Sequence, residues 1–265
     1  MRSFARVLLP LALVTVAVSC SGSKHGSSSN PYGTEQKFCE QWAKAACNAK
    51  VVAACAAASV ASCVDNGTTY CMGLVAPHYN PKYAKQCIDA VRTAFADAKL
   101  TAEELATVRD MAAPCDRLNE GPLGEGDQCS ASDQCDALVG DLGLRCIVKS
   151  GQTFGTCAEP VEVGGGFSCA APNQVCVSGF YCDGSNCLAA KGEGEACDTA
   201  PCADGFDCQD VSGSLQCVAK LKATDACSAD EQCASGICAK SVNGTGKCVD
   251  SVVLSPTDPM CSYLG

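Results

Sequence analysis

Residues 38–71 read FCEQWAKAACNAKVVAACAAASVASCVDNGTTYC, with cysteines at 39, 47, 55, 63 and 71, one every eighth residue. Cys87 falls two steps further on. Eight residues of an α-helix turn through about 800°, so each step drifts about 80° from the last. Five such cysteines on one continuous helix would spiral around it and converge on nothing. Neighbours on one helix would also lie about 12 Å apart along the axis, whereas a disulfide needs Cα atoms within about 7 Å. The spacing therefore argues against a metal stripe and against bonds within one helix. It predicts staples between different helices, with at least one chain reversal between Cys39 and Cys71. A turn near Asn48–Val51 offers one nested solution, Cys47–Cys55 with Cys39–Cys63, out of the 105 connectivities open to eight cysteines.

The flanking sequence carries the helices. Glu35 to Ala49 places Phe38, Trp42 and Ala45/Ala46 at helical spacing. Val51 to Val64 continues in the same style, and Asn66-Gly67 reads as a turn after it. Pro81 to Lys99 opens on a proline and sets Tyr83, Cys87, Val91 and Phe95 four apart on one face. Thr101-Ala-Glu-Glu104 is a capping box that opens a helix carrying Leu105, Val108 and Met111. Pro114 ends or bends that helix near Cys115. The expectation is four short helices in an Ala-rich region, 34–120. Over 21–120 the charges balance, with ten Lys+Arg and ten Asp+Glu.

Beyond Arg117-Leu-Asn-Glu-Gly-Pro-Leu-Gly124 the composition changes. Residues 121–265 are Gly-rich and acidic, with seven Lys+Arg against nineteen Asp+Glu, so a domain boundary is expected near 120. Four units of four cysteines follow, over about 124–160, 164–190, 192–220 and 224–250. They hold Cys129, Cys135, Cys146 and Cys157; Cys169, Cys176, Cys182 and Cys187; Cys197, Cys202, Cys208 and Cys217; and Cys227, Cys233, Cys238 and Cys248. Three first cysteines have Gly at −3 (Gly126, Gly166, Gly194), and the fourth unit has Thr224 there. The third cysteine follows a Gly and a bulky apolar residue: Gly143-Leu144, Gly179-Phe180, Gly205-Phe206 and Gly236-Ile237. Such recurrence marks a repeat. Each unit is expected to be a small β-hairpin with two staples and one buried apolar residue, and Val242-Asn-Gly-Thr245 reads as one of the hairpin turns. The remaining cysteines for disulfides are Cys39, Cys47, Cys55, Cys63, Cys71, Cys87, Cys115 and Cys261. If the units pair internally, Cys261 in the tail 251–265 must return to the helical region; Cys115 is one partner open to it.

The whole chain has 25 cysteines in 265 residues, 5% aromatics and a single tryptophan, Trp42. Large apolar side chains are too few for an ordinary core, so cross-links must supply part of the stability. The expected fold class is thus a disulfide-rich multi-module protein, a stapled α-helical domain followed by four β-hairpin repeats.

The N-terminus explains how so many disulfides could form. Arg2 and Arg6 precede an apolar run from Val7 to Val18. It is too short for a membrane-spanning helix and fits a signal peptide over 1–19. Val16-Ala-Val-Ser-Cys20 followed by Ser21-Gly-Ser resembles the lipobox of bacterial lipoproteins. The resemblance implies cleavage before Cys20, diacylation of its thiol, and a membrane partner through that anchor. Ser21, which is not Asp, fits export to an outer membrane in that family. The plainer alternative is ordinary cleavage after Ser19, leaving Cys20 a free or paired thiol. Parity favours the lipid, because without Cys20 an even 24 cysteines remain. Residues 20–33 read as the lipidated cysteine and a Ser/Gly tether, with a reach of about 20 Å.

Cys227-x5-Cys-Ala-Ser-Gly-Ile-Cys238, with Gly-Lys-Cys248 after it, resembles the modules called Dickkopf N-terminal-like. It is also similar to loosely EGF-like repeats of bacterial surface proteins. With the lipobox and the Ala-rich helical region, the chain resembles a family of myxobacterial surface lipoproteins. That resemblance implies a scaffold and no particular activity.

Catalytic signals are sparse. Cys-x4-Cys at 182/187, 197/202 and 233/238 could suggest zinc, but each pair sits inside a repeat that accounts for it as a staple. No Cys-x-x-Cys supports a redox site. The two histidines are His25 in the tether and His78 in a loop-like Ala-Pro-His-Tyr-Asn-Pro. No Gly-x-Ser-x-Gly is present, and Gly164-Gly-Gly166 lacks the lysine of a phosphate loop. Asp133-Gln-Cys135 and Asp230-Glu-Gln-Cys233 read as turns rather than calcium ligands. Asn66-Gly-Thr and Asn243-Gly-Thr read as turns rather than glycosylation sites. A net charge of −10 argues against nucleic acid. The expectation is no cofactor, no metal, no enzyme, and a non-catalytic cell-surface lipoprotein that contacts an unidentified protein or glycan. Two alternatives stand beside it: a secreted protease inhibitor, and a hydrolase dependent on His78.

Overall fold

The computed structural model describes residues 30–75, 78–149, 151–240 and 246–265. The leader, Cys20, His25, most of the tether and the Val242–Thr245 turn lie outside the described residues. Pro31 to Gly33, assigned to the tether from sequence, belong with the folded part: the carbonyl of Tyr32 accepts the Tyr79 hydroxyl at 2.6 Å, and Tyr32 packs on the core.

The opening stretch folds as two antiparallel helices around a short third. Helix α1 (Glu35–Ala46) begins at Thr34, whose hydroxyl accepts the Lys37 N–H. It stops three residues before Ala49 because Asn48 turns extended and caps the next helix, accepting from Lys50 and Val51. Helix α2 (Ala49–Ala54) ends where Ala56 takes φ 52. Ser59 then caps α3 (Val60–Leu74). This helix runs straight through Asn66-Gly67, so the expected turn is absent. Packing overrides the turn signal here. A Cβ on Gly67 would lie 3.1 Å from Leu264 Cδ2 and 3.2 Å from Ala43 Cβ, so glycine is what lets the helices close up.

The every-eighth-residue cysteines become two rungs and a tail clasp. Cys39–Cys71 and Cys47–Cys63 staple the two ends of the α1–α3 pair. The nested Cys47–Cys55 and Cys39–Cys63 solution is therefore incorrect. The reversal is not a tight turn but the whole of α2 and its flanks, which brings Cys63 opposite Cys47 and leaves Cys55 for another partner.

A 3₁₀ turn, Pro81–Tyr83, leads into α4 (Ala84–Ala94), which buries Cys87, Ile88 and Val91. The helix falls short of Lys99 because Ala98 takes φ 60 and Lys99–Leu100 pairs antiparallel with Val252–Val253. Helix α5 (Ala102–Arg109) has both hydrogen bonds of the Thr101/Glu104 capping box. It ends well before Pro114, where Met111 takes φ 52. The tail closes on α6 (Pro259–Leu264), capped by Asp258. Cys261 bonds Cys55, not Cys115, and Cys115 bonds Cys87. The physical reason is position. Cys115 opens a 3₁₀ turn against α4, while α6 packs on α3 and delivers Met260 and Leu264 to the main core. That core also holds Phe38, Trp42, Phe95, Ile88 and Leu100. Trp42 meets Phe95 edge-on, with ring centroids 6.1 Å apart.

The other sixteen cysteines form eight disulfides, in each unit first to third and second to fourth. In every unit the third and fourth cysteines sit directly opposite each other on paired antiparallel strands: Cys146 and Cys157, Cys182 and Cys187, Cys208 and Cys217, Cys238 and Cys248. Units 1 and 4 add a third strand, Gln128–Cys129 and Ala226–Cys227, and a 3₁₀ turn, Ser132–Gln134 and Asp230–Gln232. One strand pair, Val161–Val163 with Gln174–Cys176, is parallel.

Candidate functional site

Both glycine signals of the repeat have one cause. Gly126, Gly166 and Gly194 take φ of 89, 80 and 75, a region closed to most L-residues. Each occupies the third position of a tight turn, and its N–H donates to the carbonyl of that unit's fourth cysteine at 2.8 Å. Thr224 makes the same bond in unit 4 with φ 81. Gly143, Gly179, Gly205 and Gly236 are also left-handed, at 82, 81, 89 and 72. That bend sets the following apolar residue and the third cysteine on the hairpin.

The following apolar residue separates the units into two kinds. Leu144 and Ile237 are buried, at 1% and 5% exposure. Phe180 is 38% exposed and Phe206 is partly exposed, so one buried apolar residue per unit is wrong for units 2 and 3. Leu144 packs on Cys129, Cys135 and Cys157 of its own unit, and units 1 and 4 also border the helical part. Leu144 lines a cavity of about 230 Å³ with Met111, Cys115 and Leu118 of the helical part. Ile237 lines a groove of about 820 Å³ with Tyr70, Leu74, Leu105 and Met260. Among the described residues, no hydrogen bond, ion pair or disulfide joins 161–220 to the helical part.

Polar contacts hold unit 1 in place. The Arg117 guanidinium lies 4.0 Å above the Tyr83 ring and donates to Ala137 O at 2.9 Å, Gly140 O at 3.1 Å and the Asp141 carbonyl. Asp116 pairs with Arg145 at 2.5 Å, and the Asn119 amide donates to the Asp133 carbonyl. Unit 4 sits with Gly236 against Ala102 and Asp230 near Arg109. Units 1 and 2 are linked by Lys149, whose ammonium donates to Cys169 O at 2.8 Å and Gln174 O at 2.5 Å; burial lowers its pKa. Ser178 donates to Asp204 between units 2 and 3.

The groove beside unit 4 is mostly apolar and is rimmed by Arg109, Asp230 and Asp258. Tyr70 and Tyr263 stack at its edge with centroids 4.4 Å apart. Burial, reinforced by Tyr263, pushes the Tyr70 phenol up to about 12. Burial likewise raises Tyr79.

In each unit three cysteine sulfurs lie within 4.8 Å of one another, but all are bonded as disulfides and offer no thiolate. Asp133 and Asp230 stand in the 3₁₀ turns, and Asp230 Oδ1 accepts the Cys238 N–H at 2.7 Å. His78 is exposed, and its carbonyl accepts the Glu120 N–H. Asn66 is helical, and its amide donates to the Gly265 carbonyl. Gly164–Gly166 turns out to seat aromatic rings: a Cβ on Gly165 would run into Phe180, and one on Gly164 would touch Phe167 at 3.6 Å. The contrast between seated and open units was not visible in the sequence, because the Gly-apolar signature is the same in all four. No helix among the described residues is long and apolar enough to cross a membrane. No protein-family model, curated protein or solved structure matches the chain.

Proposed function

We propose that the chain is a non-catalytic exported lipoprotein, built as a stapled helical domain followed by four hairpin repeats, which holds a rigid binding array at the cell envelope. The carrying observation is that twelve disulfides take up every cysteine from Cys39 to Cys261. Such a set persists only in an oxidising compartment. Cys20 is the one cysteine beyond it, at the lipobox-like position where a thioether to diacylglycerol would form. The repeats supply short, stapled hairpins suited to presenting side chains without ordering costs on binding. The partner is a protein or glycan at the surface, reached from the membrane by the tether.

The test is intact mass of the native protein, before and after reduction. The expected result is a diacylglycerol-bearing N-terminal Cys20 and a gain of 24 hydrogens on reduction, one pair per disulfide. Cys20→Ala should release the protein from the membrane fraction. Several free thiols in the native protein, or an unlipidated Cys20 in a membrane-bound chain, would overturn the reading.

A further inference from the structure

The groove of about 820 Å³ beside unit 4 is enclosed by α3, α5, unit 4 and the tail. Its walls are fixed in place. Cys55–Cys261 ties the tail to the helical part, Val252–Val253 pairs with Lys99–Leu100, and Cys227–Cys238 closes unit 4. A site held in this way binds without a large ordering cost. Its volume falls within the range of small-molecule sites, about 300–1,000 Å³. Ile237 and Met260 line it and are themselves buried. Tyr70 and Tyr263 also line it, stacked with their planes 23° apart.

The charges around the groove are unequal. The charged residues that line it are Arg109, Asp230 and Asp258. Arg109 is already matched by Asp110, to which its Nε and Nη2 donate at 3.0 Å and 2.9 Å. Among the described residues neither Asp230 nor Asp258 takes part in an ion pair. Each uses one oxygen to accept a backbone N–H, that of Cys238 at 2.7 Å or of Met260 at 2.8 Å. One guanidinium thus stands against three carboxylates, which favours a cation at the rim. Burial keeps the Tyr70 phenol protonated, with its pKa raised to about 12, so that ring adds no charge near neutral pH.

We infer that this groove is a binding site for a small organic cation, an ammonium group carried on an aliphatic or aromatic body. The body displaces water from the apolar walls. The head is drawn to the carboxylates at the rim, and the electron-rich faces of the tyrosines favour a cation over a neutral or anionic head. The site goes beyond the envelope array proposed above, because it lies between the helical part and unit 4 and needs no lipid on Cys20.

The experiment uses the folded, fully oxidised chain and three probes that share one body. They are 4-phenylbutylamine, 4-phenylbutanol and 4-phenylbutyrate, which are cationic, neutral and anionic at about pH 7. Emission of Trp42 reads binding, since it is the single tryptophan and its ring lies 5.7 Å from that of Tyr70. The expected result is a saturable change with the amine, at an affinity at least about tenfold above that of the acid. Asp230→Asn with Asp258→Asn keeps both backbone acceptors and should remove that preference. Ala239→Phe places a ring in the groove from an exposed strand position and should weaken the amine at least about tenfold. Equal affinity for amine and acid, no saturable change with any probe, or unchanged amine binding in Ala239→Phe would overturn the assignment. So would binding of a Leu-Lys-Leu peptide with no response to the amine, which would make the groove a protein contact. Hydrogen exchange at Cys238 and Met260 checks the fold of these variants. If it rises, Tyr263→Leu replaces them, with about threefold weaker amine binding expected and no loss overturning the proposal.

Discussion

Units 1 and 2 have the same pairing of four cysteines and the same left-handed glycines, yet they are held together differently. Unit 1 has a small core of its own, Leu144 among four cysteines with Leu123 beside it, and is tied to the helical part by Arg117 and Arg145. Unit 2 buries only Cys169 and Cys187 among its hydrophobic residues. In one unit the disulfides reinforce a packed, docked fold; in the other they are nearly the whole fold. A repeat signature therefore specifies a backbone without specifying its energetics. What surrounds the unit decides those.

Removing a staple should break the comparison most sharply. A disulfide closing a loop of this length is worth about 3 kcal/mol in the chain-entropy picture. Cys169→Ser with Cys182→Ser takes that from a unit with little else, so amide protection across 169–187 should vanish. Cys129→Ser with Cys146→Ser should cost a similar amount but leave measurable protection at Cys157, because Leu144 and Arg117 still hold the unit. Hydrogen exchange followed by mass spectrometry reads both. Equal collapse of the two units would mean that docking contributes little.

The apolar residue after the glycine gives the next largest contrast. Leu144→Ala empties a buried site and should cost about 2–4 kcal/mol. Phe180→Ala removes a ring that is 38% exposed and seated on Gly165, and should cost about 1–2 kcal/mol. Arg117→Ala sits between them. It removes charged donors from the partly buried Ala137 carbonyl and from two exposed ones, an effect of about 1.5–3 kcal/mol, and it should loosen unit 1 while leaving unit 2 unchanged. The same exchange experiment separates these outcomes, since unit 1 amides should report all of the Arg117 effect.

Much of this was legible in the sequence, and the failures have physical causes. Helix geometry applied to Cys39–Cys71 required a reversal and interhelical staples, and both are present. It did not say how long the reversal would be, because Asn48 as a helix cap and Asn48 as a turn look alike locally. Asn66-Gly67 reads as a turn on propensity and is helical because Ala43 and Leu264 press against Gly67. The hairpin turn at Ser212-Gly213, with φ 58 and 87, lay in plain sight. Its serine lacks the Asn or Asp that usually marks such a turn, although Asp210 supplies the missing acceptor to the Gly213 N–H at 2.7 Å. Which repeats would dock was out of reach, because that depends on where the chain returns, and the return is set by Cys55–Cys261 and the Val252–Val253 pairing.

The smallest expected effect concerns the one unit that departs from the glycine rule. Thr224 takes φ 81 where its counterparts are glycine, and a left-handed β-branched residue carries strain of about 1–2 kcal/mol. Replacing it with glycine relieves that strain but adds about 0.5–1 kcal/mol of backbone entropy to the unfolded chain. Thr224→Gly should therefore stabilise unit 4 by about 0.5–1 kcal/mol. Gly194→Thr, its mirror in unit 3, should destabilise by about the same amount. The asymmetry matters more than either value. Unit 4 can carry the strain because Ile237 and the helical part hold it, while unit 3 has no such support. If Gly194→Thr were silent while Thr224→Gly stabilised, the open unit would be relaxing around the added side chain where the docked unit cannot, and unit 3 would be the softer of the two.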